Sequence, residues 1–195
     1  GLACAIKTMQ LLEDEPELTE KLGGVPVAVI EKGKVAGAHL LSGANVEPSA
    51  LTRLFPDLDP GDWPSVYQEV TKDAVYFLTS RMAVPLKPMP PNFRNHGNYV
   101  TSIARLGRWL GEKAEEAGVY ILSETAADKL LVEDRIVRGV RSGDKGRGKD
   151  GEELSNFEPG SDLVAKATVL AEGTIAHLTG AALDYFDLNG PDPQR

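Results

Sequence analysis

The feature that most constrains this chain is a helix-patterned segment followed by a short apolar strand that ends on an acid. Apolar residues recur at helical spacing over residues 2–13, and Pro16 with the acids around it predicts a solvated linker. The run Val25–Ile30 is apolar and β-branched, as in a strand buried on both faces, and Glu31 follows it directly. A helix leading into a buried strand is half of a βαβ unit. The chain is therefore predicted to be an α/β domain that lacks its N-terminal strand.

The rest of the chain alternates between helix and strand patterns and then becomes rich in strands. The strongest helix pattern covers residues 97–118, with Gly118 as a stop signal. Its apolar stripe consists of Ile103, Leu106, Leu110 and Ala114. The other predicted segments are a proline-rich extended connection over 64–94, a strand at 119–122, two strands around a turn in 128–142, a polar glycine-rich loop at 143–162 and a strand at 163–173. This order predicts an α/β domain with a β-meander and an inserted helical or extended segment.

Composition excludes several classes of function. The 195 residues carry a net charge of −8 with scattered Lys and Arg, which argues against nucleic-acid binding. Cys4 is the single cysteine, so the chain alone can form neither an intrachain disulfide nor a four-cysteine iron–sulfur cluster. The three histidines show no metal-ligand spacing, and we predict no metal site. No triad or paired-carboxylate pattern is visible, so we assign no catalytic acid–base residue.

Two glycine patterns compete as the phosphate-binding loop of a nucleotide site. Gly146, Gly148 and Gly151 match G-x-G-x-x-G literally, but no amphipathic helix follows them, and we place them in an exposed hairpin loop. Gly1 is the better candidate, as the last glycine of a fingerprint whose helix starts at Leu2. Glu31, 30 residues later, would then accept hydrogen bonds from the adenosine ribose hydroxyls. The alternative is that Glu31 is an ordinary solvated acid at a strand end.

Three stretches carry a more specific resemblance: IEKGKVAGAHLLSGANVEPSALTRLFPD, HGNYVTSIARLGRWLGEKAEEAGV and FEPGSDLVAKATVLAEG, with FDL near the end. Over Gly1 to about Leu188 the chain resembles the electron-transfer flavoprotein–ubiquinone oxidoreductases. The resemblance implies an FAD-binding Rossmann-like domain of the glutathione-reductase/hydroxylase type, with part of the fingerprint missing. Enzymes of this family carry FAD and a [4Fe–4S] cluster, and they pass electrons from reduced electron-transfer flavoprotein to ubiquinone at a membrane surface.

The resemblance also implies two sets of site residues. Arg105 would contact the cofactor, and the alternative is a helix-surface salt bridge. The segment from Ala50 to Trp63 would form a helix that faces the membrane or the quinone, and the alternative is an ordinary core helix. The expected cofactor-binding residues are Gly1, Glu31, Lys32, Gly37, His39, Ser42, Gly43, Ala44, Arg105, Ala127, Glu172 and Gly173. The expected membrane-facing or quinone-facing residues are Leu51, Leu54, Phe55, Leu58 and Trp63.

The chain departs from the family pattern because it lacks the first two fingerprint glycines and the cysteines of the cluster. These departures indicate a fragment of a longer quinone-linked electron-transferring-flavoprotein dehydrogenase, and we expect the fragment to be inactive by itself. The cluster would belong to the longer protein, which would lie peripherally on the bacterial inner membrane at its cytoplasmic face, or on the mitochondrial inner membrane. The expected domains are a first FAD-binding part at 1–45, an inserted segment at 46–94, a second FAD-binding part at 95–182 and the start of a quinone domain at 183–195. Two alternatives stay open: another flavoprotein oxidoreductase, similar to geranylgeranyl reductases or monooxygenases, or a truncated module without catalytic function.

Overall fold

The computed structural model describes residues 1–41, 43–64, 66–174, 176–188 and 190. The helices among them are α1 (Leu2–Glu13), α2 (Pro16–Leu22), α3 (Ser49–Leu54), α4 (Ile103–Glu116) and α5 (His177–Phe186). The strands are β1 (Ala28–Ile30), β2 (Ala44–Val46), β3 (Val66–Glu69), β4 (Tyr76–Leu78), β5 (Ala83–Pro85), β6 (Tyr99–Thr101), β7 (Tyr120–Leu122), β8 (Ala127–Glu133), β9 (Ile136–Ser142), β10 (Lys145–Arg147), β11 (Glu153–Glu158) and β12 (Asp162–Val164). Short 3-10 helices lie at Pro60–Asp62 and Pro91–Phe93.

The chain divides into two compact units. Unit 1 consists of Gly1–Lys34 and Ala117–Arg195, and unit 2 consists of Val35–Glu116. Each is a mixture of helices and strands, in agreement with the predicted α/β class at this coarse level.

Unit 1 contains the predicted helix–strand unit. Helix α1 buries Ala5, Ile6 and Leu12, and the strand after it, β1, pairs in parallel with β7, with Val29 opposite Ile121. The predicted meander is also present, as an antiparallel sheet in the order β12–β9–β8. The turn between β8 and β9 places Asp134 and Arg135 at positive φ, where the sequence predicts it. Strands β10 and β11 form a hairpin that contains the rejected glycine motif.

Unit 1 also differs from the sequence predictions. The acidic linker contains helix α2, whose Pro16 occupies the first helical position, where its missing N–H is not needed. The sequence predicts a strand at 163–173, but β12 ends at Val164. Its pairing with β9 stops there, near the hydrogen bond from the Ala165 N–H to the Arg138 carbonyl. Among the described residues, the segment that follows has no strand neighbour, and backbone without a neighbour forms no ladder. Helix α5 has no predicted counterpart.

Unit 2 is built around aromatic side chains beneath helix α4. The sheet β2–β6–β3 is antiparallel, and the core beside it contains the buried residues Leu51, Trp63, Leu106 and Trp109. The rings of Trp63 and Trp109 are stacked, with centroids 6.2 Å apart. The predicted apolar stripe of α4 faces inward, with Ala114 fully buried. The extended connection predicted before residue 94 also contains strands, including the hairpin β4–β5.

Candidate functional site

The carboxyl ends of the parallel strands β1 and β7 form the edge at which α/β sheets generally bind ligands. Glu31 is the first residue after β1, and its N–H donates to the Leu122 carbonyl at 2.9 Å. Its own carbonyl accepts from the Thr125 N–H at 3.0 Å, and the Gly33 carbonyl accepts from the Glu124 N–H at 2.9 Å. The loops after the two strands are therefore held together by backbone hydrogen bonds, which fixes the position of Glu31.

The Glu31 side chain has one oxygen committed to the fold and one that is not. The Gly33 N–H donates to Oε1 at 2.6 Å, so the loop turns back onto the carboxylate. Among the described residues, Oε2 has no hydrogen-bond partner, and the side chain is only half-buried. A carboxylate fixed by one oxygen can still accept hydrogen bonds from ligand hydroxyls with the other.

Gly1 lies where a nucleotide phosphate could approach a helix. It is the N-cap residue of α1, with no side-chain cap and no acid in the first turn, so the first N–H groups are open to an anion. A Cβ added at Gly1 would lie 3.4 Å from Ala171 Cβ, which is ordinary van der Waals contact. The start of α1 thus lies beside the end of the ATVLAEG stretch.

Glu172, predicted to contact the cofactor, caps helix α5. The Leu178 N–H donates to Oε1 at 3.0 Å, and the Thr179 N–H and hydroxyl donate to Oε2 at 2.7 and 2.9 Å. Burial by itself would raise the pKa of the Glu172 carboxyl, but the bonds from Leu178 and Thr179, with a smaller contribution from His177, lower this pKa below its ordinary value. Both oxygens therefore have structural partners. Gly173 has φ +83°, and no described residue beyond its chain neighbours lies within 4 Å of where a Cβ would be.

The other expected residues of unit 1 are less distinctive. Lys32 is exposed, and Ala127 begins β8 opposite Ser142. The sequence prediction missed Thr125, a buried polar residue that bonds to the Glu31 carbonyl and, through its hydroxyl, to the Ser123 carbonyl. Its position three residues after β7 would have indicated it, because parallel strands bring their carboxyl ends to the same edge.

In unit 2 the glycine-rich loop packs on helix α4. Gly37 has φ +80°, and a Cβ there would lie 2.5 Å from the Ala104 carbonyl oxygen and 2.9 Å from the Arg108 nitrogen. At the same contact, a Cβ at Gly107 would lie 2.9 Å from Gly37 Cα. Bare backbone at Gly37 is thus explained by close approach to the helix, without a ligand.

The remaining loop residues differ from Gly37. His39 is exposed, Ala44 begins β2 opposite Thr101, and Ser42 lies outside the described residues. Gly43 has φ +88°, and among the described residues no atom beyond its chain neighbours lies within 4 Å of an added Cβ, so its glycine is explained by backbone conformation alone.

Arg105 stands in the first turn of α4 and is exposed. Its guanidinium carbon lies 5.5 Å from the centroid of the Tyr67 ring, a cation–π distance. No carboxylate lies within salt-bridge distance of Arg105 in the described part of the chain, so the helix-surface ion pair considered for it is not formed. With Pro64, Arg108, Trp109 and Glu112 it lines a shallow hollow of about 240 Å³.

The membrane-facing set is corrected in part by burial. Leu51, Leu54 and Trp63 are 8%, 7% and 2% exposed, inside unit 2, and Phe55 packs against the same cluster. Leu58 alone is exposed, at 38%. Apart from Leu58, these side chains pack inside unit 2. They do so because the segment folds as the short helix α3 and a 3-10 helix around the tryptophans, and not as one long amphipathic helix.

Two features are absent from the residues that the structure describes. No group of three or more His, Cys, Asp or Glu side chains is arranged to hold a metal ion. No helix is both long and apolar enough to cross a bilayer.

Comparison of the sequence with those of known proteins identifies relatives of this chain. No family model matches the chain. The chain is 42% identical over 199 residues to the probable electron transfer flavoprotein-ubiquinone oxidoreductase of Acinetobacter baylyi, which covers all of this chain. It is also 42% identical to the mitochondrial enzyme of Caenorhabditis elegans over 192 residues and 39% identical to that of Mus musculus over 191, each covering 96% of this chain. In sequence, the chain belongs with the electron transfer flavoprotein-ubiquinone oxidoreductases.

The chain spans about a third of these curated relatives: 34% of the Acinetobacter protein, 31% of the Caenorhabditis protein and 30% of the mouse protein. A solved geranylgeranyl bacteriochlorophyll reductase-like protein from Thermoplasma acidophilum matches 58% of this chain and 28% of its own length. Its identity is 19% and its TM-score 0.42, a similarity too weak to define the fold.

Unit 1 fits the adenosine half of FAD in two respects. It offers a carboxylate with one uncommitted oxygen at the strand edge and a helix N-terminus without a side-chain cap. These are the donor and acceptor types that a ribose and a pyrophosphate require.

Proposed function

We propose that this chain supplies FAD-binding residues to a flavoprotein oxidoreductase that passes electrons from reduced electron-transfer flavoprotein to ubiquinone. In the longer protein a [4Fe–4S] cluster would take part, and the protein would lie peripherally on the bacterial inner membrane or the mitochondrial inner membrane. The observation that carries the proposal is the 42% identity to the Acinetobacter enzyme along the whole chain, combined with the uncommitted Glu31 oxygen.

The chain's own residues would bind and orient the cofactor. Glu31 would accept hydrogen bonds from the ribose hydroxyls, and its negative charge would disfavour a ribose 2′-phosphate. The N–H groups that open α1 after Gly1 would donate to the pyrophosphate. The bound FAD would supply the redox chemistry.

In unit 2, Arg105 and the loop that contains Gly37, His39, Gly43 and Ala44 are proposed cofactor-facing groups on the family resemblance alone. The same holds for Lys32, Ala127 and Gly173 in unit 1. Glu172 is a weaker candidate, because α5 already occupies both of its carboxylate oxygens.

Glu31→Gln tests the ribose contact. The amide oxygen can still accept from the Gly33 N–H, so the loop should keep its shape while the ligand loses a charged acceptor. Losing a charge-assisted hydrogen bond should raise the Kd for FAD by roughly 10- to 100-fold. Glu124→Gln is the matched control, since this exposed acid lies in the loop after β7 and should leave the Kd unchanged.

The measurement is flavin absorbance that co-elutes with the protein, followed by titration with FAD and, separately, with FMN. FMN lacks the adenosine half, so Glu31→Gln should leave FMN binding unaltered. If Glu31→Gln, Glu124→Gln and the unsubstituted chain bind FAD with equal affinity, Glu31 is not part of the FAD site. A folded chain that binds no flavin would mean that the site needs residues outside these 195.

A further inference from the structure

The hairpin β4–β5 in unit 2 is apolar and exposed on both faces. Every residue of both strands is exposed, including Phe77 at 62% and Leu78 at 71%. Phe77 and Val84 lie opposite each other on one face, and Tyr76, Leu78, Ala83 and Pro85 lie on the other. Further exposed apolar side chains of this region are Met82, Leu86 and Phe93. A two-stranded sheet is marginal alone, so this one is expected to gain a neighbour.

The hydrogen-bond register shows which backbone groups face outward. The Leu86 N–H donates to the Val75 carbonyl at 2.9 Å, and the Thr79 N–H donates to the Met82 carbonyl at 2.8 Å. Because bonded and non-bonded pairs alternate in an antiparallel ladder, the pairs Tyr76–Pro85 and Leu78–Ala83 direct their backbone groups away from the partner strand.

The two edges of the hairpin are not equivalent. On the β5 edge, Pro85 occupies an outward position and has no N–H to donate, a common way to block strand addition. On the β4 edge, Tyr76 and Leu78 each present an outward N–H and carbonyl. Among the described residues no strand other than β5 pairs with β4. The β4 edge is therefore the open one.

The character of the region indicates what can cover it. Unpaired backbone groups are costly in hydrocarbon, so an open strand edge argues against burial in lipid. A neighbouring strand would satisfy both the polar edge and the apolar faces. Lys72, Arg81, Lys87 and Arg94 outnumber the one acid in residues 71–94, Asp73, in a chain whose net charge is −8. Asp73 is already bonded to the Asn95 N–H and side-chain amide, so an acidic partner would be favoured.

We propose that a β-strand from polypeptide outside these 195 residues, within the same longer protein, pairs with the β4 edge. The expected strand is apolar and flanked by acidic side chains. The curated relatives have the length to supply it, since the chain spans only 34% of the Acinetobacter protein. This proposal does not depend on FAD binding, and its test uses no flavin.

The test is hydrogen–deuterium exchange at the Tyr76 and Leu78 amides, measured in the 195-residue chain and in the longer protein that contains it. Both amides should exchange rapidly in the 195-residue chain and about 100-fold more slowly in the longer protein, because a ladder bond protects them there. The Ala83 amide, on the opposite edge, should change little and serves as the internal control. Rapid exchange in both proteins would overturn the proposal.

Two other occupants of the β4 edge would give different exchange results, and either result would overturn the proposal. Protection in the 195-residue chain that rises with concentration, alongside a dimer mass by light scattering, would identify a second copy. Protection that requires phosphatidylglycerol vesicles would identify a lipid surface.

Leu78→Pro and Ala83→Pro provide a second readout. Each removes one outward N–H, on opposite edges, and Leu78→Ala controls for the lost side chain. Leu78→Pro should destabilise the longer protein beyond Leu78→Ala, whereas Ala83→Pro should not lower its stability. Equal effects of the two proline variants would contradict strand addition at β4.

Discussion

Replacing Gly37 by alanine separates a packing role from a ligand role for the glycine-rich loop. A Cβ at this position would lie 2.5 Å from the Ala104 carbonyl oxygen and 2.9 Å from the Arg108 nitrogen. Both are backbone atoms of α4, so no side-chain rotation can relieve the clash, and φ is +80°. Gly43→Ala is the matched control, because Gly43 has φ +88° and no described residue beyond its chain neighbours lies within 4 Å of an added Cβ.

The expected costs differ by the clash alone. Positive φ costs an alanine roughly 1–2 kcal/mol, and this cost applies to both variants. Forcing extra volume into a packed contact adds about 1–3 kcal/mol, which applies only at Gly37. Gly37→Ala should therefore lower the free energy of unfolding by about 2–5 kcal/mol, against about 1–2 kcal/mol for Gly43→Ala.

Tryptophan fluorescence reports this difference selectively. The chain has two tryptophans, Trp63 and Trp109, and both are buried in the core of unit 2. In urea titrations with slopes of about 1–3 kcal/mol/M, the midpoint for Gly37→Ala should lie clearly below that for Gly43→Ala. Equal midpoints would refute the close approach of the loop to α4. Normal stability with weakened FAD binding would instead favour a ligand role for Gly37.

Two further predictions concern unit 1. Glu172→Gln should lower stability at pH 7 by about 1 kcal/mol through loss of the charged cap on α5. Because folding lowers the pKa of Glu172, its contribution is present above the unfolded pKa and is lost as pH falls through the folded value. Thermal melts followed by circular dichroism should thus converge for the two proteins in acid, and a constant difference would contradict the cap. Gly139→Ala should break the β9–β12 pairing at a cost of about 2–3 kcal/mol, since its Cβ would overlap the Leu163 carbonyl. Gly143→Ala, with no atom closer than 3.8 Å, should cost under about 1 kcal/mol in the same melts, and equal costs would refute this contact.

The parts of the fold that local patterns could predict are those with a strong period or a turn signal. Helix α1 follows from apolar spacing, and so does α4, although the predicted helix at 97–118 is wrong before Ile103, where Tyr99–Thr101 form β6. The β8–β9 hairpin follows from its turn at Asp134 and Arg135. The acids and the proline of helix α2 predict a break in the chain, but proline also suits a first helical turn, so the local pattern does not reveal this helix. The strand expected at 163–173 failed for a different reason: a strand depends on a neighbour, and no local pattern reveals whether one is present.

The membrane-facing residues show the same limit at the level of side chains. The apolar residues between Ala50 and Trp63 fit an interfacial helix and a core helix equally well by spacing. Whether the helix is interfacial or part of the core depends on its contacts with Trp109 in α4. The centroid of the Trp109 ring lies 5.1 Å from that of Phe55 and 6.2 Å from that of Trp63. A contact across about fifty residues of sequence cannot be derived from either segment alone.

Glu31 and Glu172 each end an apolar run, so they are alike in sequence, but they differ in structure. Each follows an apolar run and precedes a glycine, but the pattern argument predicts a cofactor contact only for Glu31, and Glu172 is a candidate on the family resemblance alone. Glu172 uses both oxygens to cap α5, whereas Glu31 uses one oxygen to hold its loop. A ligand that competed for Glu172 would have to displace helix N–H groups, but one that bound Glu31 would meet an oxygen to which no described residue donates. For this reason Glu31 is the better candidate for the proposed ribose contact, and substitution there should alter FAD affinity with little loss of stability.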